Sequence, residues 1–183
     1  MSNARRKQPE VVRRRLLDCA EALAVERGLA GITVQAVADA AGVTKGGLFH
    51  HFPTKQALVE GMVADLLHRL DREIDAAIEK DPEPRGSFTR AYVDSVFVGR
   101  EFGFDTPWAA LSVAMVAEPH LRRLWAGWLD ERQHRHQDTD DDPMLEVVRL
   151  AVDGAWLSVT IREGEAASDI AELRQRLIGL TRR

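Results

Sequence analysis

Between Thr33 and Lys55 the chain reads "TVQAVADAAGVTKGGLFHHFPTK", crowding Lys45, His50, His51 and Lys55 among three threonines and a glycine pair. Ammonium, imidazole and hydroxyl groups are the side chains that hold phosphate oxygens, and lysine and glutamine also reach the edges of bases. A second cluster suggests a different chemistry. In "HRHQDTDDD", His134 and His136 precede Asp138, Asp140 and Asp142, whose alternate spacing imitates the start of a calcium loop. The imitation ends there, because Pro143 and Arg149 stand where such a loop needs glycine and glutamate. His134 and His136 are two apart and fall on different faces of a helix. The run reads as a solvated acidic connection, and no metal site is expected. HExxH, GxSxG, P-loop and GxGxxG patterns are all absent, so neither catalytic residues nor a cofactor is expected.

The elements that must carry the phosphate-binding groups are short. Three helices in succession begin with an apolar residue or proline, then threonine, then an apolar residue four positions on: Ile32-Thr33 with Val37, Val43-Thr44 with Leu48, Pro53-Thr54 with Leu58. Each threonine is placed to cap a helix N-terminus, and the first two apolar pairs form staples that fix the approach of the chain. Gly42 suits a left-handed turn between helices over 34–41 and 45–52. The start of the second helix offers backbone N–H groups, the positive end of its dipole, the Thr44 hydroxyl and the Lys45 charge. Gly46 and Gly47 remove bulk there. In a helix interior such residues cost about 1 kcal/mol each relative to alanine, which a purely structural helix has little reason to carry.

The segment from Thr33 through "LVEGMV" resembles the DNA-binding signature of the TetR family of bacterial transcriptional regulators. That signature consists of a helix, a turn, a recognition helix, an aromatic-polar-His-Phe run and a lysine opening a fourth helix. The resemblance covers about the first 65 residues and is specific as a run rather than at any one dipeptide. It implies an all-α fold, with a helix-turn-helix domain over 1–54 and a helical ligand-binding and dimerisation domain over 55–183. It further implies a homodimer on double-stranded DNA with a palindromic operator. Carried over by position, it puts Lys45, Gly46, Gly47, Phe49 and His50 near base edges, with Gln35 as a further base reader. Thr33, Thr44, His51 and Lys55 fall where the family grips phosphate. Phe49 departs from the usual tyrosine, which removes one hydroxyl contact to phosphate. The basic Arg5, Arg6 and Lys7 fit either a minor groove or a solvated tail.

Beyond this segment the pattern is helical throughout: 11–27, 55–79, 86–98, 107–117, 119–136, 143–163 and 168–181. The 183 residues are 45% hydrophobic, enough for a real core. Residues 1–60 hold nine of the 25 Lys and Arg and six of the 29 Asp and Glu, a net of +3 against −7 for the rest, consistent with an N-terminal part that meets a polyanion. No apolar run is long enough to span a membrane and no leader is expected, so the protein is expected to be cytoplasmic. Cys19 lies in an apolar helical pattern and reads as a small core residue.

The C-terminal aromatics exceed what short helices usually recruit. Tyr92, Phe97, Phe102, Phe104, Trp108, Trp125, Trp128 and Trp156, with Met62 and Met115, are expected to line a cavity for an apolar or aromatic effector. Val148, Ala151, Val152, Ala155 and Val159 on one helix, with Ile170, Leu173, Leu177 and Leu180 on the next, are expected to form a dimer interface. Apart from the resemblance, a helical small-molecule-binding protein without operator function and an enzyme with an unrecognised site both remain open.

Overall fold

Threonine hydroxyls open three successive helices as their spacing predicts. In the computed structural model, the Thr33 hydroxyl accepts from the Ala36 N–H at 3.1 Å, that of Thr44 from Gly47 at 3.1 Å and that of Thr54 from Ala57 at 2.9 Å. Residues 3–104, 106–162 and 167–182 are described, without the side chains of 3–8, 110 and 167–169. The side chains of Arg5, Arg6 and Lys7 therefore lie outside the described residues.

Two compact units result, each interrupted in sequence. The first comprises residues up to Leu67 together with Val113–Leu124. It contains α1 (Asn3–Arg27), a 3-10 turn (Leu29–Gly31), α2 (Val34–Ala41), α3 (Lys45–His51) and the first part of α4 (Lys55–Ile78). The second comprises His68–Ser112 and the chain from Trp125 onward. It holds the rest of α4, α5 (Ser87–Phe97), parts of α6 (Pro107–Ala117) and α7 (Pro119–Arg135), then α8 (Gln137–Asp140), α9 (Pro143–Ile161) and α10 (Ala167–Leu180). By packing, the first unit thus extends past residue 54. The start of α4 supplies Leu58, Val59, Met62 and Val63 to its core, all buried. Every regular element among the described residues is helical, and none is long and apolar enough to cross a membrane.

In the first unit α1 turns Leu16, Leu17, Ala20, Leu23 and Ala24 inward. It reaches back through Pro9 to Asn3, beyond the Val11 start suggested by apolar periodicity, because that polar stretch carries no stripe to announce it. Gly42 ends α2 at φ 66°, and the Val43 N–H returns to the Ala38 carbonyl at 3.0 Å, closing the tight turn into α3. Leu48 is fully buried and Phe52 nearly so. The Arg13 guanidinium lies 4.4 Å from the Phe52 ring centre, while Arg14 pairs with Asp65 of α4 at 2.5 Å. Cys19 is only half-buried.

The second unit corrects the reading of the acidic run. Asp140 is buried rather than solvated. Its carboxylate accepts from the Thr89 N–H at 2.8 Å and from the Thr89 hydroxyl at 2.6 Å. Gly86, at the N-terminus of α5, has no side chain with which to cap it, and Asp140 supplies that cap from a distant part of the chain. Asp142 caps α9 through the Met144 N–H at 2.7 Å and pairs with Arg85 at 2.6 Å. Both contacts hold its carboxyl below the ordinary aspartate range, the Met144 bond contributing most. His136 stacks on Phe88 with ring centres 5.0 Å apart. Among the described residues no three His, Cys, Asp or Glu side chains gather as a metal site would require. Arg90, almost wholly buried, binds Asp81 at 2.6 Å and reaches the Thr181 hydroxyl at 3.3 Å, tying down the end of α10.

Gly61 is a tight point in the packing of α4. A Cβ there would stand 2.8 Å from Phe52 Cε1 and 3.6 Å from Leu17 Cδ2. Gly61→Ala should therefore destabilise the protein by about 1–3 kcal/mol through overpacking, despite alanine's better helix propensity. Urea denaturation reads this directly. An unchanged midpoint would contradict the contact of α4 with Phe52.

Candidate functional site

Helix α3 is seven residues long, with one side inward and the other open. Leu48 is the side chain it buries, whereas Lys45, Gly46, Phe49 and His50 are exposed. Phe49 keeps 44% of its surface in solvent. The glycine pair has no internal reason to be there. A Cβ on Gly46 would come no nearer than 3.9 Å to another atom, and one on Gly47 no nearer than 3.4 Å, at ordinary contact distance. Neither glycine has a positive φ. What their missing side chains leave open is the outside of the helix start.

The other predicted groups lie on α2, α3 and the start of α4, or cap them. Thr33 and Thr44 are exposed, and as caps they use their oxygen as an acceptor, so each O–H proton remains available to a phosphate. Lys45 and Lys55 are exposed, and among the described residues neither pairs with a carboxylate. His51 is half-buried against His50, with ring centres 5.4 Å apart. Burial, then the neighbouring His50 and Arg13, lower its pKa, so at neutral pH it offers a neutral N–H rather than a charge. Gln35 is exposed, but its amide nitrogen is engaged with Asp39 at 2.6 Å, one turn along α2. Base reading by Gln35 would break or share that bond. Sequence patterning did not single out Arg13, Arg14 or Gly61, which hold the rest in place, because their partners lie on other helices.

The expected effector cavity is narrower than its aromatics suggested. In the second unit Tyr92, Phe102, Trp108, Trp125, Trp128 and Trp156 do line one cavity, together with Leu70, Ser95, Val96 and Asp153. Its free volume is about 30 Å³, room for a single water. Phe97 and Phe104 instead pack on each other at 5.0 Å and are not part of this lining. Met62 and Met115 are core residues of the first unit, buried at 1% and 0% exposure, and do not share the cavity. Their apolar character made them resemble cavity residues, but they belong to the core of the first unit, whereas the cavity lies in the second. The first unit has a larger hollow of about 420 Å³, a groove whose walls include Leu29, Val59 and Leu121 and whose rim residues Lys55, Gln56 and Glu118 are exposed.

The expected dimer face also needs correction. Val148 and Val152 are completely buried, Leu177 nearly so, and α9 packs on α5 and α10 through that side. Ala151, Ala155, Val159, Ile170, Leu173 and Leu180 are half-buried. The apolar face that α9 leaves open is a different one: Val147, Leu150, Leu157 and Ile161, at 54%, 62%, 47% and 71% exposure, with Gly154 between them. Alternating steps of three and four make this a continuous seam.

Comparison with known proteins resolves what this assembly belongs to. Residues 16–62 match the pattern of "Bacterial regulatory proteins, tetR family", and residues 86–182 match "Tetracyclin repressor-like, C-terminal domain", more than half of the chain. The chain belongs to the TetR family. It is a DNA-binding transcriptional regulator, not an enzyme. Among TetR-family relatives it is similar to the transcriptional repressor KstR2 of Rhodococcus jostii, 29% identical over 80% of this chain and 78% of that protein. The regulator BetI of Brucella anthropi is 26% identical over 87% of this chain and 74% of its own length. The fold resembles the multidrug binding protein EbrR crystallised with malachite green, with TM-score 0.71 and 22% identity over 92% of this chain and 96% of that one. A TetR regulator from Haloarcula marismortui reaches TM-score 0.75 at 14% identity over 94% of this chain and 97% of its own.

Gly46 separates folding from DNA contact. Gly46→Ala should leave stability unchanged or raise it by up to about 1 kcal/mol, since the methyl meets the Thr44 hydroxyl oxygen only at an ordinary 3.9 Å and alanine favours helix. The same change should weaken DNA binding by obstructing approach to the start of α3. Parallel melting and gel-shift titrations test both halves. A variant that melts higher and binds DNA as well as the parent would remove Gly46 from the interface.

Proposed function

We propose that this TetR-family chain is a repressor that binds a palindromic operator as a homodimer and is released by a small apolar or aromatic effector, working in the cytoplasm. The observation that carries the DNA half is the open start of α3: an exposed lysine, an exposed ring and two glycines that the protein's own packing does not require. In the proposed complex Lys45, Gly46, Gly47, Phe49 and His50 face base edges, and Thr33, Thr44, His51 and Lys55 hold phosphates. Repression is supported by the similarity to the repressor KstR2.

The proposed dimer uses the open seam of α9, Val147, Leu150, Gly154, Leu157 and Ile161, rather than the buried Val148 and Val152. Exposed apolar residues at heptad spacing are costly on a monomer and are satisfied by a second helix. The half-buried Ala151, Ala155 and Val159, with Ile170, Leu173 and Leu180 of α10, flank it. An effector seated among the aromatics is proposed to act through α4, which begins in the first unit and ends in the second. It releases DNA only if it prefers the arrangement that binds operator poorly.

Two lysine variants test the DNA reading. Lys55→Ala should weaken binding to all sequences alike and lower the salt slope by about 1, because one fewer counterion is released. Lys45→Ala should cost about 1–3 kcal/mol on the preferred operator, and much less on a duplex altered at the contacted pair. Titration across a salt series on matched and mismatched duplexes separates them. Uniform loss for Lys45→Ala, with base preference intact, would make Lys45 a phosphate anchor. Failure of the parent protein to bind any DNA specifically would favour a small-molecule-binding protein without operator function. For the dimer, Leu150→Glu combined with Leu157→Glu should give a monomer with unchanged helicity by sedimentation and circular dichroism. A dimer that survives both changes would place the interface elsewhere.

A further inference from the structure

The lining of the aromatic cavity carries an inference that rests on the effector reading above and narrows the class of ligand. Its rings form a connected series: Phe102 to Trp108 at 5.1 Å, Trp108 to Trp125 at 5.7 Å and Trp125 to Trp156 at 6.2 Å between centres. Tyr92 and Trp128 complete the wall. One carboxylate, Asp153, shares that lining.

Asp153 is poorly explained by the fold. Its described hydrogen-bond partner is the Tyr92 hydroxyl, which donates at 2.6 Å and is neutral. Arg149 is not spent on it: that guanidinium donates to the Thr89 hydroxyl at 2.8 Å, approaches Asp140 and lies 5.9 Å from the Phe88 ring centre. Burial pushes the Asp153 carboxyl above the ordinary aspartate range, only partly offset by Tyr92 and Arg149. The residue as a whole is nevertheless exposed, so its carboxylate stands at the rim where the cavity meets solvent. Trp128 directs its indole N–H to Asp71 at 2.8 Å, which leaves its ring, rather than its polar edge, for the wall.

Aromatic faces carry the negative part of a quadrupole, and tryptophan is the strongest of them. A neutral apolar ligand would use the rings and leave the acid without a counter-charge. We propose that the effector is an organic cation, a quaternary ammonium or an aromatic cation, held by cation–π contact in the tryptophan cage and by the charge of Asp153. The rings leave about 30 Å³ between them, so a cationic head enters this proposed site only as they part. Association is then slower than a preformed pocket would allow.

The experiment compares benzyltrimethylammonium with its neutral carbon isostere, neopentylbenzene, by tryptophan fluorescence and calorimetry on the full chain, with operator release as a separate readout. The cation should bind at least about tenfold tighter. Asp153→Asn keeps an acceptor for Tyr92 and should remove most of that preference while leaving the neutral compound's affinity unchanged, which also shows that the variant is folded. Trp125→Leu should cost the cation more than the isostere. Equal or tighter binding of the neutral compound by the parent protein overturns the cation and leaves an apolar effector standing. A preference that survives Asp153→Asn overturns the role of the carboxylate. Binding of neither compound, with no operator release, removes the cavity as an effector site and this inference with it.

Discussion

A seven-residue helix cannot hold itself in water, and α3 is the element proposed to be presented to DNA. Its conformation depends on the Thr44 cap at one end and on Leu48 and Phe52 sunk into the first unit at the other. Phe52 rests where Gly61 of α4 has no side chain, and Arg13 of α1 lies over its ring. Two longer helices, α1 and α4, therefore hold one short helix. Because its stability is supplied from behind, the outer side of α3 is free to carry glycines, a lysine and an exposed phenylalanine that a self-supporting helix would not favour. This is the physical division on which the proposed DNA-binding role rests: apolar anchors inside, reading groups outside, and the Thr44 cap at the boundary between them.

Aspartates in the second unit show how far context decides the use of one side chain. Asp140 is buried and spends its charge capping α5 and holding Thr89, while Asp142 caps α9 at the surface. Asp153 does neither: on an exposed residue, its carboxyl meets the Tyr92 hydroxyl beside the aromatic rings. A charge retained where the fold gains little from it is a common signature of a binding function rather than of stability.

The helix-turn-helix was legible because every signal in it is local. A cap, a staple and a left-handed glycine act over four or five residues, so Thr33, Gly42 and Thr44 could be assigned from spacing alone. Helices α5 to α7, α9 and α10 were also readable to within a residue or two, since Pro107, Pro119 and Pro143 mark their starts. What spacing does not encode is which of two apolar faces turns inward. Helix α9 is apolar on both, and Val148 and Val152 were assigned outward although they form the core, while Leu150 and Leu157 stand open. Met62 and Met115 failed for the same reason: apolar character does not name the partner. Asp140 was misread because its cap lies on a helix some fifty positions earlier, and Asp153 was missed because an acid within a helical pattern reads as a solvated one.

Selection of bound duplexes from a random DNA pool tests most directly that this chain is a two-fold regulator reading sequence through α3. A dimer that presents one α3 per subunit should enrich an inverted repeat, with the two half-sites on one face of the duplex about one helical turn apart. Enrichment of a single unrepeated site, or of no sequence at all by a folded protein, would contradict it.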